Sequence, residues 1–252
     1  MPVVIALIWT LSPFFFFLFI AIVILRVQYE YYLLFFQETE KRQILFGLGL
    51  GLCLLSVIYY RLPLLPSLFG LVLLILLYSL STLREIENTL THIAVLFFGI
   101  AYIAGFLGHL ILIRQHPAGR ELIFLILIMT WGGDAGAYYV GKAFGKTKLA
   151  PRVSPNKTVE GAIGGLLITF LGGAAAKLRF LPLFSWGDLI ALSLLLGVFG
   201  QLGDLVESMM KRSAGVKDSS GLVPAHGGLF DKLDSIAFAA PLLYYYLILF
   251  KA

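Results

Sequence analysis

A polar helical face is predicted near the end of one long apolar segment. Four residues there are spaced at i, i+3, i+4 and i+7: Asp204, Glu207, Ser208 and Lys211. A helix carries residues at this spacing on one side. The apolar Leu205 lies on another side of the same helix. The pattern therefore predicts a cluster of acidic and hydrogen-bonding groups at one end of a buried helix.

Further carboxylates are expected at the same depth. Asp231 and Asp234 open the last apolar segment at i and i+3, and Asp134 lies within an earlier one. Ionisable groups inside apolar spans are unfavourable and mark functional sites, and we expect them in two spans, those of Asp134 and Asp204. Carboxylates without His or Cys neighbours suit hard cations that also bind phosphates. The candidate Mg²⁺ ligands are Asp204, Asp231 and Asp234.

Basic residues surround this predicted site, as expected for a polyanionic substrate. They form two groups along the chain: Lys211, Arg212 and Lys217, and Lys142, Lys146, Lys148, Arg152 and Lys157. The loop that carries the last members of the second group offers a candidate anion-binding site. Ser154 followed by Pro155 is typical of an N-cap with proline at the first helical position. The donors at that helix start would be Asn156, Lys157 and Thr158.

A purely structural interpretation is open for several of these groups. Asp134 could pair with a lysine or a backbone donor, and the other acids could form an interfacial ion-pair network with nearby lysines. His226, between Ala225 and Gly227, could hydrogen-bond within its loop or approach a ligand.

The composition requires a membrane environment. The chain of 252 residues is 60% hydrophobic and 13% charged, with a mean hydropathy of +0.93, and such a chain cannot cover a soluble surface. Its long, unbroken apolar runs predict helices instead of barrel strands. One cysteine, Cys53, excludes an internal disulfide, and four scattered histidines disfavour a zinc site. We predict an all-α, polytopic transmembrane helical bundle.

The apolar segments set the expected topology. They predict about nine spans, or eight if the N-terminal run is one helix: 2–12, 13–35, 43–60, 64–82, 91–113, 120–140, 159–178, 186–207 and 234–250. Alternating the loops places most basic residues on one side, the cytoplasmic one. The net charge of +5 is thus a topology signal and not a sign of nucleic-acid binding. The start "MPVVIALIW" lacks a basic region, so we expect no cleavable signal.

The C-terminal half resembles a known family. The signature residues occur in the family's order and spacing: Ser208, Lys211, Arg212, Lys217, Asp218, Pro224, His226, Gly227, Gly228, Asp231 and Asp234. On this basis the chain resembles the CDP-diacylglycerol synthases, also called phosphatidate cytidylyltransferases. Two positions depart from the pattern, Ala225 for Gly and Lys232 for Arg. Neither change removes a carboxylate.

The resemblance implies an enzyme that joins CTP to phosphatidic acid, releases pyrophosphate and leaves CDP-diacylglycerol in the membrane. It implies Mg²⁺, with a second, monovalent cation such as K⁺, near Asp204 and Asp231. It also implies a homodimer among the lipids of a bacterial inner membrane, with the site facing the cytoplasm. We therefore divide the chain into two regions. Residues 1–115 form the N-terminal transmembrane helices, and residues 116–252 form the catalytic transmembrane region, with cytoplasmic loops 141–158 and 211–232.

The candidate residues divide into two further groups. The candidate catalytic residues are Lys211, Arg212, Lys217, Asp218, His226 and Asp234. The candidate substrate-binding residues are Asp134, Ser154, Asn156, Lys157, Thr158, Glu160, Ser208, Gly227 and Gly228.

Three other functions are open at this point. A CTP-dependent polyprenol or phytol kinase would direct a lipid hydroxyl at the γ-phosphorus of CTP, and a related cytidylyltransferase could act on an ether lipid. A transporter would spread its acidic residues across the membrane, whereas these residues cluster at one end of the predicted spans.

Overall fold

The chain folds into a bundle of long helices. The computed structural model describes residues 2–36, 40–82, 86–220 and 227–251, with side chains from residue 5 onward. The N-terminal half contains α1 (Pro2–Thr10), α2 (Pro13–Phe35), α3 (Lys41–Tyr59), α4 (Leu64–Thr82), α5 (Thr89–Phe98), a π-helical segment (Gly99–Phe106) and α6 (Leu107–Arg114). The C-terminal half contains α7 (Gly119–Phe144), β1 (Lys148–Ala150), β2 (Ser154–Thr158), α8 (Val159–Arg179), α9 (Trp186–Ser213) and α10 (Phe230–Phe250).

The predicted transmembrane bundle is confirmed. Among the described residues, eight helical stretches are long and apolar enough to cross a membrane, and α5, the π-helical segment and α6 form one of them. The chain is therefore an integral membrane protein. The N-terminal apolar run forms two helices, of which α1 has only nine residues. The break comes before Pro13, where the Ser12 hydroxyl accepts a hydrogen bond from the amide of Phe15 and caps α2.

A buried polar network holds the N-terminal helices together. Gln28 of α2 donates from Nε2 to the Gly47 carbonyl at 3.0 Å and to the Tyr32 hydroxyl at 2.9 Å. That hydroxyl donates to the Leu96 carbonyl at 3.2 Å. A Cβ atom at Gly47 would lie within 2.6 Å of the Tyr32 ring. Gly47 and Gly51 of "GLGLG" thus allow close packing of α3 on α2.

Glycines also bring α7 and α8 together. A Cβ atom at Gly164 would meet the side chain of Val140, and one at Gly161 would lie 2.7 Å from the Ala137 carbonyl oxygen. The sequence "GAIGG" therefore serves helix packing within the chain.

A short hairpin connects α7 and α8, and it overturns one prediction. β1 and β2 pair antiparallel, with Lys148 opposite Thr158 and Ala150 opposite Ser154. Ser154 consequently lies in a strand, and the prediction that it caps a helix was wrong. Thr158 is the cap instead, and its hydroxyl accepts a hydrogen bond from the amide of Gly161 at 3.1 Å. Strand pairing satisfies the backbone before the helix begins, so the helix starts four residues later than the sequence pattern indicated.

The two halves share one hydrophobic core around α10. Phe230 of α10 packs edge to face on Tyr31 of α2, with ring centroids 6.2 Å apart. Tyr102 of the π-helical segment packs on Phe238 in the same manner at 5.8 Å. The start of α10 is therefore enclosed by helices from the N-terminal half as well as by α9.

Candidate active site

Three carboxylates converge where α9 ends and α10 begins. Asp204 and Glu207 lie on one face of α9, and Asp234 lies in the second turn of α10. One oxygen of each side chain lies within 4.8 Å of the others. Gly203 permits this approach, because a Cβ atom there would lie only 2.6 Å from the Asp234 carbonyl oxygen. Helical spacing supplies two acids, and close packing of the two helices supplies the third.

These three side chains, Asp204, Glu207 and Asp234, are called the carboxylate trio below, and they fit a divalent cation. Glu207 is only 1% exposed and Asp234 only 8%. The Glu207 Oε1 atom has no hydrogen-bond partner in the part of the chain that the structure describes. Buried carboxylates without donors are strongly unfavourable. Converging oxygens of this kind are the ligands that hard cations such as Mg²⁺ prefer.

Lys211 links the trio to Asp231. Its Nζ atom lies 2.8 Å from Glu207 Oε2 and 2.5 Å from Asp231 Oδ1. The second oxygen of Asp231 accepts hydrogen bonds from the Gly228 amide at 2.6 Å and from the Ser219 amide and hydroxyl at 3.1 and 2.7 Å. One oxygen of Asp231 thus faces Lys211 beside the trio, and the other faces the loop before α10. Its role as a metal ligand stays a prediction, and Glu207 is the acid grouped with Asp204 and Asp234.

Two glycines shape this loop. Gly227 has a φ angle of +77°, a conformation that side chains disfavour, and a Cβ atom there would lie 2.5 Å from Asp231 Oδ2. At Gly228 a Cβ atom would collide with the Ser219 hydroxyl. Both glycines are needed for the backbone to close around the Asp231 carboxylate.

Asp204 receives two further contacts. Lys157 of β2 reaches across from the hairpin, with Nζ 2.6 Å from Asp204 Oδ2. Ser208, one turn along α9, donates its hydroxyl proton to Asp204 Oδ1 at 3.4 Å. Two predicted substrate-binding residues are therefore in direct contact with a predicted metal ligand.

Asp134 of α7 lies beside the trio. It accepts a hydrogen bond from the Ser235 hydroxyl, with oxygen distances of 3.2 and 3.4 Å, and Ser235 follows Asp234 in α10. A small cavity adjoins this contact, lined by Thr130, Gln201 and Ser235 among others. The expected convergence of acids from three helices is present.

Glu160 and Thr158 hold the base of the hairpin. The Glu160 carboxylate accepts hydrogen bonds from the backbone amides of Lys146 at 3.0 Å and Thr147 at 3.1 Å. Thr158 caps α8. Both side chains thus have structural partners, and their predicted contact with substrate stays a prediction.

The remaining candidates lie at the periphery of the site. Arg212, Lys217 and Asp218 are exposed at and beyond the end of α9, and Asn156 is exposed on β2. Arg212 donates to the Val216 carbonyl at 3.2 Å. These residues can meet a solvent-borne ligand. His226 lies outside the described residues.

The sequence prediction omitted two buried acids. Glu207 was on the polar face of α9 but was not assigned to the metal. Glu30 of α2 is fully buried, and Arg26 lies one turn before it at 3.3 Å. The expectation that only the spans of Asp134 and Asp204 carry ionisable groups was therefore wrong. A charged pair inside "ILRVQYEYYLL" was the signal that could have identified Glu30.

Comparison with known proteins gives a consistent result. The profile of the Cytidylyltransferase family matches residues 1–250. Three curated relatives are named phosphatidate cytidylyltransferase. The Bacillus subtilis protein is 43% identical over 183 residues, which are 71% of this chain and 66% of the relative. The Pseudomonas aeruginosa protein is 45% identical over 133 residues, which are 52% of this chain and 49% of the relative.

The third relative, from Haemophilus influenzae, is 47% identical over 133 residues, which are 51% of this chain and 46% of the relative. The chain thus spans between about half and two thirds of the length of the curated relatives it matches.

Proposed function

We propose, from the premise that the chain belongs to the Cytidylyltransferase family, that it transfers CMP from CTP to phosphatidic acid. The products are CDP-diacylglycerol and pyrophosphate. One observation carries this proposal: three carboxylates converge beside Lys157 and Lys211 at one end of the bundle. The names of the curated relatives support the same reaction.

The reaction needs alignment and charge neutralisation more than proton transfer. An oxygen of the phosphatidate phosphate forms a bond to the α-phosphorus of CTP. The bond from that phosphorus to the oxygen bridging the β-phosphorus breaks, and its electron pair leaves with pyrophosphate. A phosphate monoester oxygen is already a competent nucleophile at neutral pH, so positioning and electrostatic stabilisation account for most of the catalysis.

The acidic residues would hold Mg²⁺. Asp204, Glu207 and Asp234 are the candidate ligands, and Asp231 lies next to them through Lys211. When bound, Mg²⁺ would neutralise and orient the CTP phosphates. Ser208 orients the Asp204 carboxylate by its hydrogen bond. The family resemblance adds a second, monovalent cation such as K⁺ close to the same acids.

The basic residues would bind the phosphates. Lys157 and Lys211 reach the acids directly, and the exposed Arg212 and Lys217 stand at the solvent-facing edge. They are placed to attract the water-borne nucleotide and the leaving pyrophosphate. Phosphatidic acid would enter sideways from the lipid leaflet at the same depth.

The distribution of charge and the family support a proposal for the orientation, the membrane and the oligomeric state of the enzyme. Basic residues concentrate in the hairpin and at the end of α9, so we place this end in the cytoplasm. The relatives are bacterial, which supports a location in the inner membrane. The family resemblance supports a homodimer, which light scattering on the detergent-solubilised protein would test.

Labelled CTP tests the reaction. Purified full-length protein in lipid nanodiscs is given Mg²⁺, CTP labelled either in cytosine or in the γ-phosphate, and one of three lipids: phosphatidic acid, its ether-linked analogue or a polyprenol. We expect the cytosine label in the lipid product and the γ-label in pyrophosphate. Transfer of the γ-label to a lipid would identify a kinase. Turnover only with an ether-linked phosphatidate would identify the ether-lipid enzyme, and no transfer of either label to any of these lipids would contradict the proposal.

A further inference from the structure

A buried carboxylate from the N-terminal half reaches the loop that precedes α10. Glu30 lies in α2, and its side chain is fully buried. A carboxylate inside a membrane span is strongly unfavourable unless donors surround it. The groups that donate hydrogen bonds to Glu30 therefore indicate its role.

Glu30 contacts the chain on both sides of residues 221–226. Its Oε1 atom accepts a hydrogen bond from the Ser220 hydroxyl at 2.9 Å, and Arg26 lies 3.3 Å from the same oxygen. Its Oε2 atom accepts a hydrogen bond from the backbone amide of Phe230 at 2.9 Å. One side chain thus joins the end of the segment after α9 to the beginning of α10.

Glu30 also takes the place of a missing helix cap. Leu229, the N-cap of α10, provides no side-chain hydrogen bond. The first amides of a helix need an acceptor, and a negative charge at this end is favoured by the helix dipole. Glu30 supplies the acceptor and the negative charge to the Phe230 amide, although the two residues are 200 positions apart in the chain.

The contact continues into the active site through Ser219. The Ser219 hydroxyl donates to Asp231 Oδ2 at 2.7 Å, and Glu30 Oε2 lies 3.3 Å from the same hydroxyl oxygen. A Cβ atom at Gly228 would collide with both Glu30 and Ser219. Asp231 in turn holds Lys211. Any movement of Glu30 would therefore be transmitted to the groups that face the carboxylate trio.

We propose that Glu30 is a positioning residue for the reaction: it caps α10 from the N-terminal half and fixes Ser219, Asp231 and Asp234 in their working arrangement. The catalytic part of this inference rests on the proposed function. The positioning itself does not, because it concerns the order of the loop in the absence of substrate.

A matched control separates positioning from general stability. Gln28 is also fully buried in α2, but it donates hydrogen bonds to Tyr32 and Gly47, which both belong to the N-terminal helices. Gln28→Leu therefore removes a buried polar contact from the same helix without touching the loop. Glu30→Gln keeps the side-chain volume but removes the charge and one acceptor oxygen. Glu30→Asp keeps the charge at a shorter reach.

The first readout is amide hydrogen exchange in the full-length protein without substrate. We expect Glu30→Gln to accelerate exchange selectively in 213–220 and 227–231, Glu30→Asp to do so less, and Gln28→Leu to leave these amides protected. Unchanged protection of both ranges in Glu30→Gln would overturn the positioning, whatever reaction the protein catalyses. If Glu30→Gln does not fold, Glu30→Asp decides in the same way.

The second readout is kinetic. We expect Glu30→Gln to lower kcat by about 10- to 100-fold, as for residues that orient ligands of a metal site. Glu30→Asp should restore part of this loss, and Gln28→Leu should retain kcat at temperatures where it is folded. Equal losses in Glu30→Gln and Gln28→Leu, in proportion to their unfolding temperatures, would overturn the catalytic role. Inactivity of the unmodified protein would count against the proposed function and leave the exchange result to decide the positioning.

Discussion

Helices α9 and α10 are joined by polar clusters at both of their ends, and the two clusters are built differently. At the end remote from the carboxylate trio, Asp188 is the one acid of the cluster among the described residues. It accepts hydrogen bonds from the Ser185 amide at 2.5 Å and the Tyr246 hydroxyl at 2.6 Å, and it lies 2.5 Å from Lys251 Nζ. Ser185 and Asp188 also form a capping box at the start of α9. Both carboxylate oxygens of Asp188 therefore have a hydrogen-bond donor or an ion-pair partner.

At the other end acids outnumber their partners. Asp204, Glu207 and Asp231 share only Lys157 and Lys211 as ion-pair partners among the described residues, and Asp234 forms no ion pair within the same part of the chain. A balanced cluster of charges holds two helices together, whereas a cluster with excess buried acids is suited to a cation that offsets their charge. The comparison teaches that an excess of buried acids over their basic partners, and not the presence of acids alone, sets the proposed active site apart.

The largest effect is expected from Asp204→Asn. The substitution removes a charge from the trio, and we expect kcat to fall by at least about 1000-fold, as when a group preorganised for the transition state is lost. The unfolding temperature should change little, because one of several like charges is relieved. Turnover assays and thermal unfolding in detergent measure both quantities. Near-normal turnover of the purified variant would remove Asp204 from the site.

A second substitution tests whether Glu207 belongs to the trio. Glu207→Gln keeps the shape and one acceptor for Lys211 but removes a buried charge. We expect an activity loss of about 100-fold and a higher Mg²⁺ concentration for half-maximal rate. Stability should be kept or improved, because the site loses an uncompensated acid. An unchanged Mg²⁺ dependence would show that Glu207 serves only to hold Lys211.

A smaller effect is expected at the hairpin. Lys157→Met removes the cation that reaches Asp204, and we expect kcat/KM for CTP to fall by about 10-fold, the scale of one hydrogen bond to a charged group. Lys148→Met is the matched comparison, since Lys148 lies exposed on the paired strand. The loss in kcat/KM should be clearly larger for Lys157→Met than for Lys148→Met. Equal losses would mean that the hairpin acts through its overall charge.

The smallest effect on activity is expected from Asp188→Asn, at the balanced end. Turnover should stay within about twofold, because the change is remote from the trio. Loss of the pair with Lys251 should lower stability by about 1 kcal/mol, or roughly 2–4 °C in the unfolding midpoint. A thermal unfolding experiment measures the change in stability, and the turnover assay measures the change in activity. A strong activity loss at unchanged stability would contradict the distinction between the two ends.

Local pattern predicted much of this structure. Long apolar runs predicted the helices, and the spacing of Asp204 and Glu207 predicted one polar face on α9. The prediction failed at Ser154, because antiparallel pairing of β1 and β2 competes with helix initiation and is not visible in a capping pattern. It failed at Glu30 because, apart from Arg26, the groups that donate to this carboxylate lie about 190 to 200 residues away in the chain.

The sequence by itself determined that the chain forms a bundle of membrane helices with acids at the ends of α9 and α10. The physical reason is that lipid accepts only long apolar helices and confines charge to their ends or interior. Only the tertiary structure decided which acids share a site. Helical periodicity orders residues on a single helix, but the register between helices depends on close contacts such as that of Gly203 with Asp234. The same packing brings Glu30 to the start of α10 and places Asp231 between Lys211 and the loop before α10.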